Sequence, residues 1–140
     1  MLLWIKLPLQ HQANLQQVLL KLFRSSSMEL KLNGSTHLYG IMGYPVAHSL
    51  SPAMHNAAFA ALELNCAYVP FPVEDISSAM QGFRALGIKG VSVTIPHKQA
   101  VMPFLDRIDP VAKRIGAVNT LTITNGTISG YNTDWQGAGP

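Results

Sequence analysis

The sequence predicts an α/β fold of three layers, α-β-α, around a mostly parallel sheet with one antiparallel strand in a C-terminal hairpin. Three observations carry this. Short apolar runs alternate with helical periodicities in the order strand, helix, strand, helix, strand, which calls for right-handed crossovers and parallel pairing. Asn125-Gly126 then separates two five-residue runs, the signature of a two-residue hairpin turn. The length of 140 residues, 48% of them hydrophobic, suits one domain with a real core and excludes a disordered chain.

The elements follow in order. Residues 1–36 read as an extension. Leu15, Val18, Leu19, Leu22 and Phe23 recur at helical spacing until Ser25-Ser26-Ser27 ends the pattern, and Met28 is an alternative start. Residues 38–42 form a buried strand, and a loop over 43–50 follows. Ser51-Pro52 opens a helix, Ser51 as its N-cap and Pro52 as its first residue, with Met54, Ala57, Ala58, Ala61 and Leu62 as the apolar face. Residues 66–69 are a second strand bounded by Pro70 and Pro72. Residues 76–86 are helical and stop at Gly87. Residues 91–95 are a third strand, stopped by Pro96. Short helices are expected at 99–105 and 111–115. Residues 120–124 and 127–131 are the hairpin strands.

The hairpin has a geometric consequence. With 124 facing 127, Asn119 lies opposite Asn132, beside Thr133 and Asp134. If the second hairpin strand runs parallel to the first three, this is the carboxyl end of the sheet. The loops holding Ser49 and Lys98 open onto the same edge, where open α/β sheets bind ligands. His48-Ser49-Leu50-Ser51, Thr94-Ile95-Pro96-His97-Lys98, Asn119-Thr120 and Asn132-Thr133-Asp134 thus supply hydroxyls, amides, an ammonium and a carboxylate. Such groups suit a small polyhydroxylated acid, and a Lys–Asp pair can move a proton. Taken singly, each has a plainer explanation. Ser51 caps a helix, Asn119 and Asn132 are turn residues, Asp134 is a cap and Lys98 a solvated lysine.

Charge and cysteine content narrow the partners. The formal net charge is +3, with 12% charged residues. Residues 1–36 hold Lys6, Lys21, Arg24 and Lys31 against Glu29, while the remainder is balanced. No basic cluster alternates with aromatics, so nucleic acid is not an expected partner. No apolar run approaches the ~18 residues of a membrane span. Cys66 is the lone cysteine, which suits a reducing, cytoplasmic setting. His48, His55 and His97 lack metal-ligand spacing, so no metal site is expected. Gly137-Ala138-Gly139 follows no strand directly and carries no cofactor reading.

Four motifs in this order resemble the shikimate dehydrogenase family. They are Gly40-Ile41-Met42-Gly43-Tyr44-Pro45-Val46-Ala47-His48-Ser49-Leu50-Ser51-Pro52, Val91-Ser92-Val93-Thr94-Ile95-Pro96-His97-Lys98, Gly116-Ala117-Val118-Asn119-Thr120 and Gly130-Tyr131-Asn132-Thr133-Asp134. The resemblance implies the substrate-binding domain of an enzyme that reversibly reduces 3-dehydroshikimate to shikimate with NADPH, on the route to chorismate and the aromatic amino acids. It implies Lys98 and Asp134 as the catalytic pair. Lys98 would pass a proton to or from the reacting oxygen, and Asp134 would hold Lys98 and a substrate hydroxyl in register. Ser49 and Ser51 would bind the carboxylate, and Thr94 and Asn119 the carboxylate side and ring hydroxyls. Ser92 stands where the family commonly has Asn and is a weaker contributor.

The same resemblance implies that residues 37–134 are the substrate domain and that 135–140 begin a linker to an NADP-binding domain absent from these 140 residues. No strand leads into a G-x-G-x-x-G loop. The chain alone is therefore expected to bind shikimate weakly without turnover. The alternatives are a stand-alone shikimate- or quinate-binding module, or a functional head. Shikimate and 3-dehydroshikimate are the expected partners, and a homodimer stays open.

Overall fold

In the computed structural model, residues 30–134 are described. The helical spacing of the head and the Gly137-Ala138-Gly139 segment lie outside them. The elements are β1 (His37–Gly43), α1 (Ser51–Ala61), β2 (Cys66–Pro72), α2 (Ile76–Leu86), β3 (Gly90–Val93), a 3₁₀ turn (Met102–Phe104), β4 (Arg107–Ile108), α3 (Pro110–Ile115), β5 (Thr120–Thr124) and β6 (Thr127–Tyr131). They form one six-stranded sheet in the order β2-β1-β3-β5-β6-β4. β1 pairs in parallel with β2 and β3, β6 pairs in parallel with β4, and β5 runs antiparallel to both its neighbours.

Period-two alternation divides the sheet's faces. On one face Met42, Val91, Val93, Leu121, Ile123 and Ile128 pack against Met80 and Phe83 of α2 and Ala112 of α3. On the other, Ile41 and Tyr68 pack against Phe59 of α1. The layers are those the element order predicts.

α2 begins and ends where local chemistry dictates. The Asp75 side chain accepts hydrogen bonds from the Ser77 and Ser78 N–H groups, and Gly87 closes the helix in the left-handed region at φ 67°. The hairpin register places Thr124 against Thr127 and Thr120 against Tyr131, as the Asn-Gly turn requires.

Several expectations need correction. Ser51 is not the N-cap of α1. Leu50 occupies that position without a side-chain cap bond, and Ser51 is the first helical residue. The reason is that the Ser49 hydroxyl, two residues back, already accepts from the Ser51 N–H at 3.2 Å. β2 continues through Pro70 to Pro72 instead of stopping at 69. It is an edge strand, and a proline there forfeits only an outward-facing donor. β3 ends at Val93, so Thr94–Lys98 is a turn closed by the His97 N–H on the Thr94 carbonyl at 3.0 Å. The helix expected at 99–105 is only the 3₁₀ turn Met102–Phe104, centred on Pro103. β4, two residues long, is too short for any periodic signal.

Candidate functional site

The carboxyl ends of β1 and β3 open onto a cavity of about 270 Å³ lined by Ile41, Pro45, Val46, His48, Ser49 and Thr94. Two loops build it, one following each strand. Both pass through cis peptide bonds, Tyr44-Pro45 and Ile95-Pro96. They are tied together by the Tyr44 N–H on the Ile95 carbonyl at 3.1 Å. Gly43 makes the approach possible. A Cβ there would meet the Thr94 side chain, Val46 Cγ1 at 2.8 Å and the Ile95 carbonyl at 2.9 Å.

Ser49 reaches the cavity from the first loop and faces back onto the α1 N-terminus through the bond described above. Ser51 does not line the cavity. Its carbonyl lies 2.9 Å from the His55 Nδ1. Thr94 lines the cavity from the second loop.

Lys98 follows in that loop, and its backbone is pinned on both sides. Its carbonyl accepts from the Val118 N–H at 2.8 Å. The preceding His97 is buried, with its Nε2 2.6 Å from the Val73 carbonyl. This anchor was not expected from sequence, where His97 read only as a failed metal ligand. Its burial between two turns leaves no periodic trace.

Lys98 Nζ lies 3.9 Å from Asp134 Oδ2, with side chains 38% and 57% exposed. At that length the two charges face each other without a hydrogen bond, and solvent screens the pair. A ligand oxygen between them can exchange a proton with one while hydrogen-bonding the other.

Asp134 is brought there by the hairpin. Its N–H donates to Asn132 Oδ1 at 2.9 Å, and the Asn132 Nδ2 donates to the Ala117 carbonyl at 3.2 Å. Asn119 is completely buried. Its Oδ1 accepts from the Thr133 N–H at 3.0 Å and the Thr120 hydroxyl at 2.9 Å. The side-chain oxygen therefore organises the turn that carries Asp134.

The structure thus groups Ser49 and Thr94 around one cavity and Lys98 and Asp134 as a neighbouring pair. It puts Ser51 on the helix end behind Ser49, and Asn119 beneath the Asp134 turn. Sequence reasoning put His48 on this edge but missed Ile41, Pro45 and Val46 as lining; Pro45 and Val46 belong to the loop preceding Ser49, and Ile41 to the strand β1 that leads into it.

The family model of the shikimate dehydrogenase substrate binding domain matches residues 41–121. The chain belongs to this family. It is 56% identical over 108 residues to the shikimate dehydrogenase (NADP(+)) of Methanothermobacter thermautotrophicus, covering 76% of this chain and 38% of that relative. The crystal structure of shikimate dehydrogenase from Aquifex aeolicus superposes with a TM-score of 0.74 at 46% identity, covering 77% of this chain and 41% of that one. That of Thermus thermophilus shikimate 5-dehydrogenase in complex with shikimate gives 0.69 at 40% identity, covering 74% and 40%. The chain therefore spans well under half the length of the relatives it matches.

The relatives' cofactor finds no matching cradle among the described residues. β1, β2 and β3 lead into Gly43-Tyr44-Pro45, Val73-Glu74-Asp75 and Thr94-Ile95-Pro96. None is a glycine-rich turn whose N–H groups could hold a pyrophosphate. No described helix is long and apolar enough to cross a membrane.

Proposed function

We propose that residues 37–134 are the substrate-binding and proton-handling part of an NADP-dependent shikimate dehydrogenase, taking shikimate and 3-dehydroshikimate. The observation that carries this is the cavity lined by Ser49 and Thr94, inside the family-matched segment, with Lys98 on the same turn as Thr94 and paired to Asp134. Shikimate is a compact acid with three hydroxyls. Small donors on two loops hold such a ligand by placed hydrogen bonds, since the charges of residues 37–140 cancel.

In this reading Ser49 and Ser51 take the carboxylate at the start of α1, where the N–H groups of the first turn also face an anion. Thr94 supplies a further hydroxyl. Asn119 takes a ring hydroxyl with its amide and, through its side-chain oxygen, also holds the turn of Asp134. Lys98 carries the proton that the reacting oxygen gains or loses. Asp134 keeps the ammonium aligned and accepts from a ligand hydroxyl. Residues 1–36 are read as an extension of this unit and residues 135–140 as the start of a linker, although the end of the extension joins the unit, with Leu30 against the Ile41, Phe59 and Tyr68 cluster and the Thr36 hydroxyl on Asn65. The lone Cys66 is compatible with the cytoplasm.

The nicotinamide chemistry belongs to parts of the relatives that this chain does not match. The chain alone should bind shikimate and fail to reduce NADP⁺, because no site among the described residues positions a hydride carrier. Two measurements test this. Titration with shikimate, followed by amide chemical shifts, should perturb the Ser49 and Thr94 loops. NADP⁺ reduction with shikimate should be absent from the chain alone. In a version joined to a cofactor-binding part it should appear, and Lys98→Ala should abolish it. Clear turnover by the 140 residues alone, or no shift changes at saturating shikimate, overturns the reading.

A further inference from the structure

β2 is an outer strand of the sheet, with β1 as its neighbour. An outer strand offers a row of N–H and C=O groups on which a further strand can pair. Along the strand these groups face alternately inward and outward. The Asn65 carbonyl accepts from the His37 N–H, and the Val73 N–H donates to the Gly43 carbonyl, so the odd-numbered residues face β1. Cys66, Tyr68, Pro70 and Pro72 therefore carry the outward groups.

None of the four has an N–H left to give. The Cys66 N–H donates to the Leu64 carbonyl at 2.9 Å. Pro70 and Pro72 have no N–H. The Tyr68 N–H donates to Asn56 Oδ1 at 2.7 Å, and Asn56 Nδ2 donates to the Tyr68 carbonyl at 2.8 Å. The Asn56 carboxamide thus occupies both groups of Tyr68 as the backbone of a further strand would. Its orientation is fixed, because the reverse one would set donor against donor.

Asn56 lies in the middle of α1, where asparagine is a poor helix former. Nothing local to the helix calls for it there; the bracket on β2 does. The opposite edge strand, β4, is only two residues long and gives a second copy little to pair with.

We propose that Asn56 is an edge guard, which together with Pro70 and Pro72 closes β2 to a second copy of this chain. A two-fold pairing of copies through this edge would centre on Tyr68, the N–H of each copy meeting the carbonyl of the other. The outward carbonyls that remain need donors, and the same edge of a second copy has none to offer. A homodimer of this protein must then use another surface. The inference is independent of the ligand reading, and its failure leaves that reading untouched.

Sedimentation of the whole chain over a range of concentrations tests it, with backbone hydrogen exchange read alongside. Asn56→Ala frees both groups of Tyr68 while suiting the helix better. Its mass should rise with concentration above that of the parent, toward a doubling. When dilute, its Tyr68 amide should exchange at least about tenfold faster than in the parent. When concentrated, that amide should regain protection, which places the contact at this edge. If Asn56→Ala fails to fold, Pro70→Val combined with Pro72→Val carries the test. It keeps the bracket and gives the edge two outward N–H groups. Its mass should rise likewise, with the amides introduced at 70 and 72 protected only at high concentration. A mass equal to the parent's at every concentration overturns the inference, and Asn56 then only satisfies the Tyr68 backbone. A rise in mass that leaves these amides unprotected reports another surface and overturns it too.

Discussion

Replacing Gly43 by Ala tests the construction of the site most directly. Its added methyl would sit 2.8 Å from Val46 Cγ1 and 2.9 Å from the Ile95 carbonyl, and would also strike the Thr94 side chain. Thr94 can rotate, but the Ile95 carbonyl is backbone. It holds the Tyr44 N–H at 3.1 Å, so it cannot retreat without breaking the bond that ties the two loops. Overpacking of this kind costs about 1–3 kcal/mol. Loss of the tie adds about 0.5–1.5 kcal/mol. The expected destabilisation is therefore about 1.5–4.5 kcal/mol in urea unfolding, as the two terms combine. Val46 and Thr94 both line the cavity, so shikimate affinity should fall more than about tenfold, the equivalent of 1.4 kcal/mol.

Gly82→Ala is the matched control. An added Cβ there meets nothing within 4 Å. Gly82 lies inside α2, so the change should stabilise by about 0.5–1 kcal/mol and leave binding alone. If Gly43→Ala is as stable as the parent, the close approach of the two loops is not the constraint described. If it is destabilised but binds shikimate normally, the cavity is not the ligand site.

Three further outcomes are expected. Asn119→Ala removes the buried acceptor of the Thr133 N–H and should destabilise by about 1–3 kcal/mol in denaturant unfolding; a neutral result would show that the Asp134 turn holds itself. Lys98→Ala should leave stability within about 0.5 kcal/mol, because the 3.9 Å pair is exposed and screened, and a loss well above 1 kcal/mol would mean that the lysine is structural. Asp75 is held below its ordinary 3.8, chiefly by the Ser78 hydroxyl and then by the Ser78 N–H. A depressed folded value means that its stabilisation of α2 is full above the unfolded pKa and fades as pH falls through the lower folded one. Asp75→Ala should therefore lower the unfolding midpoint near pH ~7, and by progressively less as the pH falls through the folded pKa; a penalty undiminished in acid would contradict the capping role.

Much of this molecule is written locally. α2 could be delimited to the residue because Asp75, the apolar spacing of Ile76, Met80 and Phe83, and Gly87 are all neighbours in the chain. The hairpin register followed from Asn125-Gly126 alone, and with it the meeting of Asn119 with the Thr133 segment. The ordered motifs around Ser49, Thr94, Asn119 and Asp134 carried the family. Periodicity and turn chemistry act over a few residues, so a linear reading captures them.

The site itself needed the fold. The cavity depends on two loops meeting over Gly43, and the 3.9 Å between Lys98 and Asp134 depends on the path of a turn anchored by His97. Ser49 displaced Ser51 from the capping role because a loop side chain reached the helix end first. Tyr68 meets Ser92 across an intervening strand, 24 residues apart in sequence. Such contacts are set by strand order and by the volume that other side chains leave. Both emerge only when distant segments pack, and neither leaves a period in the chain.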